Sequence, residues 1–294
     1  MIKQTLFFST PVVLSTKNAQ LVISWKDSAD SVTRPIEDIG CVVLENQAIS
    51  VTLPLLNALV SNNVAVIICD KRQMPAAMLQ PLESNTTQTE SFKSQLAATE
   101  PQKKQAWRQI IEAKIANQAA LLAKYGKDNG PLKPLLMNVK SGDSDNREGI
   151  AAKIYWNRLF GPDFNRDRYG GPPNALLNYG YAILRAAVAR ALLGSGLLPN
   201  IGIFHRNRYN AFPLADDVME PYRPYVDDIV YSLYTSGNHD INKETKTALL
   251  KVLACDVAIG KVTRPLQIAL TFTSASMVKY FNGETKKLSL PSFK

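Results

Sequence analysis

The spacing of the apolar residues changes once along the chain, near residue 100, and this change constrains the fold more than any other feature. Before it, apolar residues come in short runs rich in β-branched and aromatic side chains, which is typical of strands. The runs are TLFFST, VVLST, QLVISW, CVVLEN and VAVIICD. After it, apolar residues recur every three or four positions, which is typical of amphipathic helices. The chain is therefore predicted to have two differently built halves.

The first half is predicted to contain one helix among its strands. The segment SVTLPLLNALVSNN has apolar residues at helical spacing, with Ser50 or Thr52 as a possible N-cap. Residues 78–100 are then dominated by Ser, Thr, Gln and Glu, which indicates a connection between domains. We therefore predict an α+β protein with a small β-rich domain over residues 1–77, that connection, and a larger all-helical domain over residues 101–294.

Helical periodicity is plain in the second half. A long helix is expected from near Gln102 to near Gly126, with one stripe formed by Trp107, Ile110, Ile111, Ile115, Gln118, Leu121 and Leu122. Another is expected to follow Asn174, a good N-cap, and to stop at Gly194. The segment ETKTALLKVLACDVAIG is expected to form a further amphipathic helix. The second domain is therefore expected to be helical throughout.

Charge and cysteine content narrow the class of protein. The chain has 34 Lys and Arg against 25 Asp and Glu, a net charge of +9, which favours a polyanionic partner such as nucleic acid but also fits a basic enzyme without one. The three cysteines are far apart in apolar surroundings, as in reduced proteins without disulfides. With no signal peptide or apolar run of about 18 residues, we expect a cytoplasmic protein.

Four residues form a candidate site. Asp217 and Glu220 are three residues apart, on one face of a helical turn. His205 follows the strand-like run GLLPNIGIF and is expected in a loop, and Glu148 opens a helix in NREGIAAKIYW. Each alone has an ordinary interpretation: an acid favours the dipole of a first turn, a single histidine is commonly structural, and an acidic pair is commonly solvated.

Together these side chains indicate a metal site. Two carboxylates and one imidazole suit Mn²⁺ or Mg²⁺, with positions left for phosphate oxygens and water. Zinc fits less well, because no cysteine lies near in the sequence and the HExxH spacing is absent. A divalent ion in such a site can polarise a phosphodiester and activate a hydroxyl. The site therefore predicts nuclease or strand-transfer chemistry.

The sequence around these residues is basic and aromatic, which indicates a DNA-binding surface, although ordinary surface cations would look the same. Arginines contact phosphates and aromatic rings can stack on a frayed base. The residues predicted to contact DNA are Arg158, Arg166, Arg168, Tyr169, Arg185, Arg206, Arg208 and Arg223.

Five segments carry a resemblance to a known family. They are RPIEDIGCVVLE, AWRQIIEAKIANQAALL, NREGIAAKIYW, NALLNYGYAILRAAVARALLGSGLLPNIGIFH and LADDVMEPYRPYVD, and they span nearly the whole chain in the family's order. The chain resembles the CRISPR-associated adaptation integrases, in the compact form of type II systems. The last two segments are the most specific.

The resemblance implies a β-sandwich-like N-terminal domain that dimerises and a helical catalytic C-terminal domain. It also implies a metal site made of Glu148, His205 and Glu220, with a glutamate in place of the aspartate common in other branches, and a supporting role for Asp217. The implied reaction is a transesterification: the 3′-hydroxyls of a short captured duplex attack phosphodiesters at the two ends of a CRISPR repeat. The metal would be Mg²⁺ or Mn²⁺, so no covalent nucleophile is needed.

The resemblance further implies partners. These are double-stranded DNA, a second copy of the chain in a homodimer with one engaged protomer, a small ferredoxin-like partner that completes a heterohexamer, and the effector nuclease of a type II locus. A prokaryotic cytoplasmic location follows. Two alternatives remain open on the residues: a general metal-dependent nuclease on branched DNA or RNA, and a DNA-binding scaffold without catalysis.

Overall fold

The structure is a computed structural model that describes residues 3–26, 28–83 and 85–293. The chain divides into two compact units, Met1–Ser84 and Asn85–Lys294. Strands dominate the first unit and helices the second, so the expected α+β class is confirmed. Within the described ranges, no helix combines the length and the apolar content that crossing a membrane requires.

The first unit contains two four-stranded sheets and an α-helix. The elements are β1 (Gln4–Phe8), β2 (Val13–Lys17), β3 (Gln20–Ser24), β4 (Ser31–Pro35), β5 (Ile39–Leu44), β6 (Ser50–Val51), α1 (Leu53–Ser61), β7 (Ala65–Cys69) and β8 (Pro75–Leu79). The strand orders of the two sheets are β1-β5-β7-β8 and β4-β3-β2-β6. The β5 strand pairs in parallel with β1 and β7, whereas β3 pairs antiparallel with β2 and β4. Both sheets and helix α1 contribute to one apolar cluster that includes Leu14, Val42 and Leu55.

The second unit is built mainly from helices. The elements are α2 (Gln88–Ala97), α3 (Glu100–Lys124), α4 (Leu132–Met137), α5 (Arg147–Phe160), α6 (Asn174–Gly194), α7 (Pro213–Met219), α8 (Arg223–Thr235), α9 (Lys243–Leu250), β9 (Asp256–Ile259), β10 (Val262–Pro265), α10 (Leu266–Phe281) and β11 (Pro291–Ser292). Short 3-10 turns lie at Ser141–Asp143, Glu220–Tyr222 and Lys251–Ala254. The site described below lies on these helices and their connections.

Helix α3 is the centre of this unit and begins with a capping box. Thr99 accepts a bond from the Gln102 N–H, and the Gln102 side chain accepts one from the Thr99 N–H. All seven residues of the predicted stripe are buried. The helix packs against α5, against α4 and against the turn Glu220–Tyr222. Segments that are remote in the sequence therefore pack against this one helix.

The expectation of an all-helical second domain was wrong. Strands β9, β10 and β11 form a small antiparallel sheet in the order β10-β9-β11. The segment predicted as one helix, residues 244–260, stays α-helical only to Leu250 and ends in β9. Ile259 pairs with Val262 across a two-residue turn in which Gly260 has φ +58°. This conformation favours a hairpin and ends any helix.

Three smaller expectations also need correction. The predicted connection, residues 78–100, contains helix α2, which packs against α10. Asn174 is the first residue of α6 instead of its cap, and its side chain bonds the Asn165 and Gly171 carbonyls of the preceding loop. The run before His205 forms turns and bends with no strand, because its backbone groups bond to side chains such as Gln95.

Candidate functional site

Glu148 lies in the first turn of α5, but it does not cap the helix. The N-cap is Asn146, which accepts a bond from the Gly149 N–H. The Asp143 carboxylate accepts bonds from the N–H groups of Arg147 and Glu148, at 2.8 and 3.0 Å. These two side chains satisfy the open donors of the helix end. The carboxylate of Glu148 is therefore available for another role, and it bonds to Lys114 of α3.

Glu220 follows α7 in the short 3-10 turn, and its side chain is almost completely buried. Oε1 accepts a bond from Arg223 Nε at 2.9 Å, and Oε2 lies 2.6 Å from Lys114 Nζ. Burial alone would raise the pKa of this carboxyl, but the charges of Arg223 and Lys114 outweigh it and lower the pKa to about 2. Glu220 is therefore ionised.

Asp217 is fully buried and holds His205 in place. Oδ1 accepts bonds from the backbone N–H of His205 at 3.1 Å and from His205 Nδ1 at 2.6 Å. Oδ2 accepts bonds from the N–H groups of Ile203 and Phe204, at 2.6 and 3.0 Å. Because a carboxylate only accepts, Nδ1 must carry the proton, and in the neutral ring Nε2 keeps its lone pair. This arrangement is typical of histidines that bind metals.

The environment of His205 also affects its charge. The bond to Asp217 raises the pKa of His205 above its ordinary value, burial opposes this, and the charges of Asp217 and Glu220 add to the rise. The ring packs edge-on against Trp107 and Phe204, with centroid distances of 5.7 and 5.8 Å. Trp107 and Phe204 stack on each other at 4.2 Å. The imidazole therefore contacts two aromatic rings and a carboxylate.

Lys114 is the part of the site that the sequence motifs do not reveal. Its Nζ contacts the carboxylates of both Glu148 and Glu220, which come from α5 and from the turn after α7. Burial alone would lower the pKa of Lys114, but the charges of the two glutamates raise it above its ordinary value. The two carboxylates thus converge on one buried ammonium. A single lysine within an apolar stripe gives no signal of this role.

The residues predicted as catalytic are thus arranged as two pairs. Glu148 and Glu220 meet at Lys114, while His205 and Asp217 bond each other. Across the described part of the chain, no three His, Cys, Asp or Glu side chains are arranged to hold a metal ion together. The donor types nevertheless fit Mg²⁺ or Mn²⁺: two carboxylates that already face the Lys114 ammonium, and an imidazole that Asp217 orients. The assignment of a catalytic role to Glu148, His205, Glu220 and Asp217 stays a prediction.

Four of the arginines predicted to contact DNA have acidic partners in the protein. Each lies 2.6 to 3.1 Å from a carboxylate oxygen: Arg158 from Asp128, Arg185 from Asp216, Arg206 from Glu100 and Arg223 from Glu220. Arg223 also lies over the ring of Tyr181, at 4.4 Å. Arg223 therefore belongs to the acidic centre itself, where it neutralises Glu220.

The remaining predicted contacts lie in two loops. Arg168 and Tyr169 are exposed in the loop before α6, with the guanidinium 5.7 Å from the ring centroid. Arg208 and Tyr209 form a similar exposed pair in the loop that follows His205. Arg166 instead bonds the side chains of Asn174 and Asn178 and ties its loop to α6. The two Arg–Tyr pairs therefore offer cation and ring to a ligand.

A buried hydrogen-bond network includes Tyr181, the ring over which Arg223 packs. Asp227 of α8 is completely buried and accepts bonds from the hydroxyls of Tyr155 and Tyr181, at 2.7 and 2.5 Å. Burial raises the pKa of Asp227 to about 7, although both hydroxyl bonds and the charge of Arg223 oppose the rise. Helices α5, α6 and α8 are joined by these bonds. Sequence reasoning missed this residue because nothing in its neighbourhood marks it as buried.

Comparisons with known proteins identify the family of this chain. The sequence model of the family described as CRISPR associated protein Cas1 matches residues 6–259. A CRISPR-associated endonuclease Cas1 of Neisseria meningitidis is 38% identical, over 90% of this chain and 91% of that protein.

Solved structures resemble this chain in fold. A casposase bound to integration product has a TM-score of 0.78 at 21% identity and covers 98% of this chain and 93% of its own. A chain of a Cas6-RT-Cas1–Cas2 complex has a TM-score of 0.73 at 19% identity, over 99% of this chain and 36% of its own. At these identities the likeness concerns the fold alone.

Proposed function

Because this chain belongs to the Cas1 family of CRISPR-associated proteins, we propose that it is a metal-dependent DNA integrase of CRISPR adaptation. Its proposed substrates are a short captured DNA duplex and the CRISPR repeat. The observation that carries the proposal is the convergence of Glu148 and Glu220 on the Lys114 ammonium, together with an imidazole that Asp217 orients. Such a set of oxygen and nitrogen donors suits a divalent ion that must also bind phosphate.

The proposed metal ligands are Glu148, Glu220 and Nε2 of His205. When bound, the ion would polarise the phosphodiester, lower the pKa of the attacking hydroxyl and neutralise charge on the leaving oxygen. Asp217 keeps the proton of His205 on Nδ1, so that Nε2 can donate its lone pair. Arg223 keeps Glu220 ionised and fixes its direction through a bond at 2.9 Å.

The proposed reaction is a transesterification at each end of the repeat. The oxygen of a 3′-hydroxyl on the captured duplex bonds to a phosphorus of the repeat. The bond between that phosphorus and the 3′-oxygen of the neighbouring nucleotide breaks, and the proton of the attacking hydroxyl finally resides on the leaving oxygen. The number of phosphodiester bonds stays the same, so no covalent enzyme intermediate and no nucleotide cofactor are required.

The proposed partners follow from the family and the proposed reaction. They are double-stranded DNA, a second copy of the chain, a small ferredoxin-like adaptation protein that completes a heterohexamer, and the type II effector nuclease. The Cas6-RT-Cas1–Cas2 complex supports a Cas partner in general, since that complex joins Cas1 and Cas2. The exposed pairs Arg168–Tyr169 and Arg208–Tyr209 supply cations for phosphates and rings for unpaired bases.

An integration assay tests the proposal. Wild type, Glu148→Gln and His205→Ala are each mixed with the ferredoxin-like partner, a short duplex, a plasmid carrying the repeat, and Mn²⁺. We expect covalent joining of duplex to plasmid by wild type and a loss of at least about 100-fold in either variant. Glu112→Gln is the matched control, because Glu112 forms an exposed pair with Arg108 on α3 and should keep full activity.

The products separate the proposed function from its alternatives. Joined products that persist in the variants would contradict the metal assignment. Free cleaved ends without a covalent branch would indicate a general nuclease, in which water replaces the DNA hydroxyl as nucleophile. Salt-dependent binding with no product, unchanged by a chelator, would indicate a non-catalytic scaffold.

A further inference from the structure

Lys114 has no part in the proposed chemistry, yet it lies at the centre of the site. Its side chain is only 8% exposed. The ammonium contacts the carboxylate of Glu148 and lies 2.6 Å from Oε2 of Glu220. A buried ammonium is stable only when it is paired in this way. Nζ of Lys114 therefore occupies the position that a cation bound by both Glu148 and Glu220 would take.

The backbone that carries Lys114 is held firmly. Lys114 lies in the middle of α3, and its neighbours Ile111 and Ile115 on the apolar stripe are fully buried. The same helix packs against α5, which carries Glu148, and against the turn that carries Glu220. The helix thus fixes the base of the side chain, while its four methylene groups can rotate. The ammonium is the part of this contact that can move.

We infer that Lys114 is a positioning residue: its ammonium keeps Glu148 and Glu220 converged in the metal-free protein and withdraws when a divalent cation binds them. The inference rests on the proposed function, because it requires a metal held by these two carboxylates. Lys114 therefore acts through Glu148 and Glu220, not directly on the DNA.

Distances make the two cations exclude each other. Mg²⁺ binds carboxylate oxygens at about 2.1 Å. An ion bound to the same oxygens of Glu148 and Glu220 would therefore lie almost where Nζ lies, 2.6 Å from Oε2 of Glu220. Two cations at such a separation repel strongly in a buried site. The Glu148 side chain is 30% exposed, so the ammonium can withdraw toward water on that side.

Removal of the ammonium should have two opposite effects. Without Lys114, two carboxylates face each other and Arg223 alone neutralises Glu220, so the metal-free protein should lose stability. The same repulsion favours a divalent ion, and no lysine must be displaced. Metal affinity should therefore rise as metal-free stability falls, a combination that a purely structural lysine would not produce.

Mn²⁺ binding by wild type and Lys114→Met, measured by electron paramagnetic resonance titration without DNA, tests the inference. We expect the Kd for Mn²⁺ to fall at least about tenfold in Lys114→Met, because the competing charge is gone. We also expect a lower thermal midpoint without metal and a larger rise when Mn²⁺ is added. The matched control is Lys124→Met, since Lys124 lies on the same helix and pairs with Asp228. Its Kd should match wild type.

Each outcome bears on a specific statement. An equal or higher Kd in Lys114→Met would overturn the inference and leave the proposed function standing. Absence of Mn²⁺ binding in all three proteins would overturn the proposed function and the inference with it.

A crystal structure of wild type soaked in Mn²⁺ serves if Lys114→Met does not fold. We expect the anomalous peak of the ion between Glu148 and Glu220, with Lys114 Nζ at least about 4 Å from one of their carboxylates, beyond hydrogen-bond distance. An ion bound by both glutamates while Nζ still bonds both would overturn the inference.

Discussion

Both oxygens of Asp217 are saturated by two hydrogen bonds each, three from consecutive backbone N–H groups and one from Nδ1 of His205. A carboxylate has about four lone-pair sites, so this environment uses them all. Asp217 was predicted as a catalytic acid in a supporting role, and its contacts favour support for His205 over a direct bond to a metal. An aspartate three residues before Glu220 thus differs from it in function because its surroundings differ.

Replacement of Asp217 by asparagine should weaken both the loop and the imidazole. The amide NH₂ of the asparagine would face N–H donors at the position where a carboxylate oxygen of Asp217 accepts their bonds. We therefore expect a loss of roughly 1–3 kcal/mol in the free energy of unfolding. Without the negative charge, the pKa of His205 should fall from its raised value towards 6.5 or below. An NMR titration of the imidazole signals measures this, and His239, the other of the two histidines, is the internal control.

The sign of the pH dependence follows from the raised pKa. In wild type the folded pKa of His205 lies above its unfolded value, so the extra stabilisation that Asp217 gives the protonated imidazole is fully present below about pH 6.5 and is lost as pH rises through the folded pKa. Asp217→Asn should lack this contribution. A His205 pKa that is unchanged in the variant would contradict the role assigned to Asp217.

The loop between α6 and α7 is a separate element that places His205, and Gly202 makes its path possible. A Cβ at Gly202 would lie 2.6 Å from the carbonyl oxygen of His205 and 2.9 Å from Cβ of Pro213. These contacts are too short, and the first involves backbone that cannot rotate away. The close approach of chain segments therefore requires glycine at this position.

Gly202→Ala should consequently displace the loop and with it His205. We expect a loss of roughly 1–3 kcal/mol of stability, as in other overpacked sites, together with weaker Mn²⁺ binding because the imidazole moves. Gly171→Ala is the matched control, since a Cβ there meets nothing within 4 Å. Thermal unfolding and Mn²⁺ titration of the two variants check this. Equal behaviour of Gly202→Ala and Gly171→Ala would contradict the argument.

Elements with long, regular periodicity could be predicted from sequence, whereas those set by distant pairing could not. The stripe of α3 contains seven residues between positions 107 and 122, and α5 and α6 follow from their spacing as well. Strand β9 was missed because Val257 and Ile259 continue the apolar pattern of α9, and only pairing with β10 and β11 makes the segment extended. The local strand propensity of a segment does not show which distant strand will pair with it.

The site shows the same limit. Sequence motifs selected Glu148, His205 and Glu220, and the structure brings the two glutamates onto one ammonium. Lys114 itself could not be predicted, because a lysine is ordinarily solvated and its contacts come from two other segments of the chain. The number and charge of the neighbours, not the residue type, decide its role.

At the scale of the whole molecule, the excess of 34 basic over 25 acidic residues leaves open which cations meet DNA. Ion pairs within the protein reduce the number of predicted arginines that are available to DNA. Arg158, Arg185, Arg206 and Arg223 already have carboxylate partners, so each would have to leave or share one to bind a phosphate. Among the residues predicted to contact DNA, the exposed arginines without a carboxylate partner are therefore Arg168 and Arg208, each beside a tyrosine ring.

The double variant Arg168→Ala, Arg208→Ala should therefore change the salt dependence of binding to a short duplex. Each lost phosphate contact removes about one unit from the slope of log K against log salt, so a reduction of about two units is expected. Fluorescence anisotropy at about 50 to 300 mM salt measures the slope. Arg264→Ala is the control, because Arg264 is an exposed arginine of β10 whose Nη1 bonds the neighbouring Thr263 carbonyl, outside the two loops. If the double variant kept the wild-type slope, the two loops would not contact phosphates, and the paired arginines would have to open to bind DNA.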